Sequence, residues 1–418
     1  MALAGTSEAA TRAPALGFAL LAVPVSGWAG CALFGRRAGI VAAVGAAGCP
    51  FLTYYAQETR MYSLVAVLSV LAAASFVLAF VHGRRRHRWL LGVWLVLLLY
   101  SHNWALFLAV GMAAGWAWLW RQGRVDGRDG ARLAAAVALL YALCLSSLAF
   151  QAANTAAPWA ERPSPLHLLL VPAGLFGAMA VPGLAIAVAT ALRRERAPEG
   201  AGLLVVITAV AATVAFLGSQ LEAAWSARYF AVLFGPLLLA LAAVLARGTA
   251  WTWAALLGVL GVWLASGPAP AKSNVRAVAA TVAPAIRAGD VVACTQPEQV
   301  PVLYRYLPSG PLFVTPLGTV ADPRLTDWRD GVERLRAGRA EHVLAPLVDR
   351  LAPGRRILLI LPVDVHSQAE WSRTIRVRTR EWRDWLRADR ALRPLGRAPR
   401  STWPPRRSRV RAELFEVR

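Results

Sequence analysis

The sequence predicts a mainly α polytopic membrane protein with a C-terminal α/β domain. Three observations carry this prediction. The 418 residues are 57% apolar with a mean hydropathy of +0.48, well above an ordinary globular domain. The first two-thirds of the chain is a series of apolar runs, each near the length that crosses a bilayer. Basic residues cluster in alternate connections between those runs.

Ten segments read as spans, at about 14–34, 38–55, 62–82, 89–101, 103–120, 131–150, 165–192, 200–218, 228–246 and 249–267. The fourth and fifth are short and share the polar break Ser101-His102-Asn103, which fits two tilted spans joined by a tight turn. The seventh carries Pro172, Gly174, Gly177, Pro182 and Gly183, so its first part is expected in the interface.

One set of connections holds Arg36-Arg37, Arg84 to Arg88, Arg121 to Arg132, Arg193-Arg194-Glu195-Arg196 and Arg247. The other set, at 56–61, 101–103, 151–164 and 219–227 with the residue that follows, holds only Arg60, Arg162 and Arg228. The positive-inside rule makes the first set cytoplasmic. Residues 1–13 and everything after 268 are then extracytoplasmic. The expected divisions are a membrane domain over 1–268 and an extracytoplasmic α/β domain over 269–418.

That last third changes character. Val291-Val292-Ala293-Cys294, Leu312-Phe313-Val314, Ile357 to Leu361 and Ala412 to Val417 read as strands. The stretches Pro297 to Leu307 and Arg378 to Leu392 read as helices. No glycine-rich phosphate loop follows any of these strands, so nothing supports a nucleotide site.

The net charge of +22 comes from 44 Arg and the single Lys272, set against 23 acidic residues. Its placement in connections and in an external domain argues against nucleic acid as a partner and for a lipid bilayer. Cys31, Cys49, Cys144 and Cys294 show no metal-binding spacing and read as buried small hydrophobes. No cofactor is expected, and a requirement for a divalent metal is left open. Residues 1–13 do not read as a signal peptide.

The unusual polar residues share the face opposite the arginine clusters: Gln57, Glu58, Arg60, Tyr62, His102, Asn103, Trp159, Glu161, Arg162, Glu222, Trp225, Arg228 and Tyr229. The densest stretch is Tyr54-Tyr55-Ala56-Gln57-Glu58-Thr59-Arg60-Met61-Tyr62. Charged groups at the edge of a hydrocarbon layer are costly and mark function. A guanidinium there can hold a phosphate through paired hydrogen bonds and stabilise it as a leaving group, which suits Arg60 and Arg228. Trp159, Trp225, Tyr54, Tyr55, Tyr62 and Tyr229 suit stacking on sugar. The competing reading is an interfacial aromatic belt with snorkelling arginines. Glu58 can pair with Arg60, orient an acceptor or act as a base. His102 can hydrogen-bond in its turn, shuttle a proton or bind a metal, although no second ligand lies near it in sequence.

These residues resemble a family. Ser7-Glu8 with Arg12 and Pro14-Ala15-Leu16, the loop Phe34 to Gly39, the stretch Pro50 to Leu64, Tyr100-Ser101-His102-Asn103 and Arg228-Tyr229 are similar to motifs of bacterial GT-C glycosyltransferases. The type is that of the protein-mannosyltransferases and aminoarabinose transferases, often labelled family 39, and the tail looks like that of actinobacterial members. The resemblance covers roughly residues 5–267, and its most specific part is the Gln57-Glu58-x-Arg60-x-Tyr62 run.

It implies an integral enzyme of the bacterial plasma membrane that takes a sugar from a polyprenyl-phosphate donor on the outer face. The sugar passes, with inversion, to a protein, lipid or cell-wall glycan. Arg60, Gln57, Tyr62, Tyr55, His102, Arg228, Tyr229 and Trp159 are the expected donor-phosphate and substrate residues. The family also places an Asp, or an Asp-Glu pair, in a first external loop after a first span. No such loop matches here: either the true start lies upstream of Met1, or the chain is a truncated relative lacking that base, with Glu58 as the substitute candidate. The alternative class is a non-catalytic membrane protein that binds or transports lipid-linked sugars. The absence of an internal repeat and the one-sided polar residues argue against a transporter.

Overall fold

A computed structural model describes residues 5, 7–154, 157–193, 198–267, 273–363, 365–397 and 409–418. Three sequence expectations lie outside these residues: the cluster Arg194-Glu195-Arg196, Lys272, and the domain boundary at 268/269. The chain forms two compact units, one of 1–149 with 162–269 and one of 150–161 with 270–418.

The first unit is helical. Its elements begin with α1 (Glu8–Phe34), α2 (Arg36–Gly48), α3 (Pro50–Tyr55), α4 (Tyr62–Phe80), α5 (Arg86–Ser101), α6 (Ala105–Arg121) and α7 (Gly127–Ala142). Next comes α8 (Leu145–Asn154), which runs from the first unit into the second. Then follow α9 (Leu166–Leu169), α10 (Val171–Phe176), α11 (Val181–Leu192), α12 (Glu199–Leu221), α13 (Ala231–Leu245) and α14 (Ala250–Ala265).

Each of the ten apolar segments is helical. Among the described residues, however, four helices are long and apolar enough to cross a bilayer: α1, α4, α12 and the continuous stretch Ala227–Leu245. A fifth is added if α7 and α8, bent by 62° at their junction, count as one span. The seventh segment is broken as its Pro and Gly residues require. Gly177, with φ +84°, separates α10 from a 3₁₀ turn at Ala178–Ala180 that leads into α11.

α4 is the hub of this unit. Seventeen of its 19 residues are buried, including small ones on every side. Packing between apolar helices relies on close backbone approach, which small residues permit. α4 meets α13 at Gly235, where an added Cβ would lie 2.3 Å from the backbone of Ser69 and Val70. The Gly235 N–H donates to the Ser69 hydroxyl at 2.9 Å. α6 meets α12 at Gly111, whose added Cβ would lie 2.4 Å from the Ile207 carbonyl oxygen. Outward positions are large and apolar: Leu20, Trp89, Leu139, Leu217 and Leu257 are all exposed.

The second unit contains α15 (Val275–Val282), β1 (Val291–Cys294), α16 (Val300–Tyr306), β2 (Leu312–Thr315), β3 (Gly318–Thr319), α17 (Gly331–Ala337), α18 (Ala340–Val343) and α19 (Ala345–Val348). It is completed by β4 (Arg356–Pro362), α20 (Glu370–Ala388), β5 (Leu392–Arg397) and β6 (Val410–Val417). The six strands lie in the order β3-β2-β1-β4-β6-β5, with β1 parallel to both β2 and β4 and the other pairs antiparallel. Central strands are buried on both faces, as their continuous apolar runs require. Val292, Cys294, Leu358 and Ile360 pack with α15 and α16. Val291, Ala293, Ile357 and Leu359 pack with α18, α19 and α20.

The segment 150–161 belongs to this unit, although the sequence reads it as an external loop of the membrane domain. Its bonds explain the placement. The Asp330 N–H donates to the Asn154 carbonyl, and the Glu161 carboxylate accepts from the Ser367 hydroxyl at 2.6 Å and the Gln368 N–H at 2.7 Å.

Two charged groups set testable properties of this unit. Glu413 on β6 is 4% exposed and accepts three hydrogen bonds from Arg387 of α20, at 2.8, 2.9 and 3.1 Å. Arg387→Ala leaves a buried carboxylate with its main partner gone. Because Arg387 is itself about one-third exposed, we expect a loss of roughly 2–3 kcal/mol, at the lower end for a broken buried pair. Thermal unfolding of the full chain reads this loss.

Glu298, in the turn after β1, accepts from the Trp371 indole N–H at 2.7 Å. Burial raises its carboxyl pKa above the ordinary 4.5. A raised folded pKa adds stability below pH 4.5 and loses it as pH rises through the shifted value. Glu298→Gln is therefore expected to stabilise the unit at pH 7 to 8, with the gain vanishing below pH 4.5. A pH series of unfolding temperatures for both proteins checks the sign.

Candidate functional site

The stretch 54–62 folds as a helix end, a turn and a new helix. Pro50 occupies the first turn of α3, where its missing N–H costs nothing. Tyr55 ends α3, residues 56–61 make the turn, and Tyr62 opens α4. The Tyr55 ring lies 4.5 Å from Phe51 and 4.8 Å from Tyr62 between centroids. Tyr62 is buried. Gln57 is exposed, with its amide donating to the Thr53 carbonyl at 3.2 Å. Glu58 is half-buried and Arg60 is exposed.

The break at 102–104 brings a second element to the same place. His102 lies in the turn between α5 and α6, 5.9 Å from Tyr62 and 4.9 Å from Tyr229 between ring centroids. Its Nδ1 accepts from the Trp104 N–H at 3.1 Å, which leaves the ring proton of the neutral form on Nε2. Burial, and then the charge of Arg228, push its pKa down to about 4, so the ring is neutral at pH 7. Asn103 is exposed.

The third element is the 3₁₀ turn Ala227–Phe230 at the head of α13. Arg228 is half-buried. Its Nε donates to the Ser226 hydroxyl at 3.0 Å, its charge lies close to Tyr62, and its Cζ lies 5.8 Å from the Tyr229 ring centroid. Among the described residues no carboxylate pairs with it. Trp104 packs at 5.1 Å from Tyr229 and 5.6 Å from Trp225, and Trp225 lies 5.3 Å from Phe230.

The structure therefore brings Tyr55, Tyr62, His102, Arg228 and Tyr229 into one cluster at adjoining helix ends. Gln57, Glu58 and Arg60 sit on the turn beside it. Trp159 belongs to the second unit, where its ring packs at 4.8 Å on Trp328. Two members of the cluster are not singled out by the sequence. Trp104 reads as part of an apolar run, and Ser226 as an ordinary loop serine. The signal for Trp104 was its place directly after the polar break.

Chemically, the cluster is a cationic group with an aromatic lining. A half-buried guanidinium without a counter-charge raises the local positive potential and favours an anion. Its fork suits two oxygens of a phosphate. The tyrosines and tryptophans offer faces to a sugar ring or to hydrocarbon. Among the described residues no three His, Cys, Asp or Glu side chains converge on a metal position.

No family model matches the chain, and no curated protein matches it significantly. Solved structures do share its fold. ArnT from Cupriavidus metallidurans in the apo state has a TM-score of 0.58 at 13% identity, over 97% of this chain and 83% of that one. The same protein bound to undecaprenyl phosphate has a TM-score of 0.55 at 12% identity, over 99% of this chain and 85% of that one. The apolar helices and this ArnT-like fold mark the chain as a multi-pass membrane protein.

Proposed function

We propose that the chain is a membrane glycosyltransferase that moves a sugar from a polyprenyl-phosphate-linked donor to an extracytoplasmic acceptor. The observation that carries this reading is Arg228: a half-buried guanidinium, unpaired with any described carboxylate, among Tyr62, His102, Tyr229 and Trp225. The likeness to an ArnT structure bound to undecaprenyl phosphate supports a lipid-linked donor.

In this reading Arg228 binds the donor phosphate, and Arg60 on the neighbouring turn adds to the positive field. Tyr62 and the neutral His102 hold Arg228 and the phosphate oxygens in place. Tyr55, Tyr229 and Trp225 line the passage of sugar and lipid. The acceptor hydroxyl attacks the anomeric carbon, the bond from that carbon to the phosphate oxygen breaks, and the phosphate leaves as an anion held by arginine. Direct displacement inverts the anomeric centre. The attacking hydroxyl must lose its proton, and Glu58 is the carboxylate on the turn that can take it. About ten membrane segments, an outward-facing second unit and a cell-envelope acceptor complete the proposal, with the bacterial plasma membrane as its location.

The test is sugar transfer in membranes. Labelled polyprenyl-phosphate sugars are supplied with total membrane acceptors, and the chain is compared with Arg228→Ala, Arg60→Ala and Glu58→Gln. Transfer that Arg228→Ala abolishes supports the reading. Saturable donor binding without transfer, from any of several sugars, would instead favour a non-catalytic lipid-linked-sugar binder.

A further inference from the structure

A lateral groove lies in the first unit, away from the tyrosine–arginine cluster. It has a volume of about 260 Å³ and an almost wholly apolar lining. α2 and α14 form its walls, with Ile40 and Val44 on one side and Trp253 and Leu257 on the other. Leu238 and Leu241 of α13 form the floor. Ile40, Val44 and Leu257 are exposed, so the groove opens sideways from the unit. In an apolar helical layer such an opening faces hydrocarbon.

The two ends of the groove differ. At one end Trp263 lies against Gly48, where an added Cβ would come within 2.5 Å of its ring, and its indole N–H donates to the Phe176 carbonyl at 2.8 Å. This end is closed. The other end lies one helical turn from Arg36 and Arg37, which open α2, and two residues from Arg247, which follows α13. Arg36 and Arg37 are exposed and have no ion-pair partner among the described residues. Neither connection, 35–37 or 246–249, contains a carboxylate. Gly35 precedes α2 without a side-chain cap, so the first N–H groups of α2 keep their donor capacity at the same place.

We propose that this groove holds an acyl chain of an anionic phospholipid, with its phosphate at Arg36, Arg37 and the N-terminus of α2. The dimensions agree. Trp253 to Trp263 is ten residues of helix, about 15 Å, close to half the thickness of a hydrocarbon core. The charges agree as well, since the exposed guanidinium groups of Arg36 and Arg37 and an uncapped helix start both favour phosphate. The proposal goes beyond the transferase reading and does not depend on it. α13, about 22 Å long, lies between Arg228 and Arg247, so a donor whose phosphate is at Arg228 has its head at the opposite helix ends. The groove belongs to a lipid of the other leaflet.

The test uses the full chain purified in detergent and phosphatidylglycerol with a photoreactive group near the end of one acyl chain. Labelled peptides are mapped, and unlabelled phosphatidylglycerol, phosphatidylcholine of the same chains and undecaprenyl phosphate are used as competitors. We expect labelling on α2 and α14, with phosphatidylglycerol competing at least tenfold better than phosphatidylcholine. The double variant Arg36→Gln/Arg37→Gln should remove that tenfold preference. Leu257→Trp, at a position 69% exposed and so tolerant of a larger side chain, should reduce labelling by both phospholipids. Equal competition by phosphatidylcholine would overturn the proposal. So would undecaprenyl phosphate competing as well as phosphatidylglycerol, labelling elsewhere only, or α2–α14 crosslinks between copies that exclude lipid.

Discussion

Arg228→Ala is expected to lower kcat/KM for sugar transfer by at least about 10²-fold while leaving the unfolding temperature nearly unchanged. The size follows from removing a charged donor aimed at a developing anion, which typically costs about 10²–10³ in rate. The unchanged stability follows from the position. Arg228 lies on a short 3₁₀ turn, and its hydrogen bond to the protein among the described residues is to the Ser226 hydroxyl. Arg228→Lys keeps the charge but loses the planar fork, so it should recover only part of the activity. Arg60→Ala should cost less, because Arg60 is exposed. If Arg60→Ala were the more damaging of the two, the phosphate would be bound on the turn, and Arg228 would be a packing residue.

Gly235→Leu should have the opposite profile, with both stability and activity lost. Its new side chain would begin 2.3 Å from the α4 backbone at Ser69–Val70, and main chain cannot yield as a flexible side chain can. Overpacking of this kind costs about 1–3 kcal/mol and occasionally more. The Gly235–Ser69 crossing also fixes the site. Tyr62 opens α4 seven residues before Ser69, and Tyr229 precedes α13 six residues before Gly235. Prising these helices apart separates Tyr62 from Arg228. Unfolding temperature in detergent and donor binding should fall together. Gly235→Ala, which adds only the Cβ, should show the same loss in milder form.

The helical layer was readable because apolar runs and arginine clusters are local features of the chain. The break at 101–103 could be found because three polar residues in a row cannot remain in a helix within hydrocarbon without partners. Strands β1, β2 and β4 were visible for a similar reason, as apolar runs, and β6 by apolar residues interspersed with Arg411, Glu413 and Glu416. β3 and β5 were not, since Gly318-Thr319 is too short to show a period and Leu392–Arg397 is rich in arginine. The amphipathic α20 begins at Glu370, eight residues before the Arg-rich stretch that announced it. Its apolar face depends on Trp371 and Ile375, whose burial partners are far away in sequence.

The site was readable in composition more than in arrangement. Interfacial Tyr, His and Arg could be gathered onto one face from topology alone. Which arginine lies among the rings could not be read, because that depends on how α4 and α13 cross. Arg60 has the more conspicuous motif, yet Arg228 has the burial and the aromatic neighbours. Trp159 stood out for the same compositional reason, but its segment is held by Asp330, Ser367 and Gln368, more than 170 residues further along the chain.

The most direct measurement of the central claim is the affinity of the purified full chain for undecaprenyl phosphate, with Arg228→Ala alongside. We expect saturable binding that Arg228→Ala weakens at least tenfold and that undecaprenol, which lacks the phosphate, does not reproduce. Binding that is equally tight for the alcohol, or unchanged by Arg228→Ala, would contradict a phosphate site at Arg228.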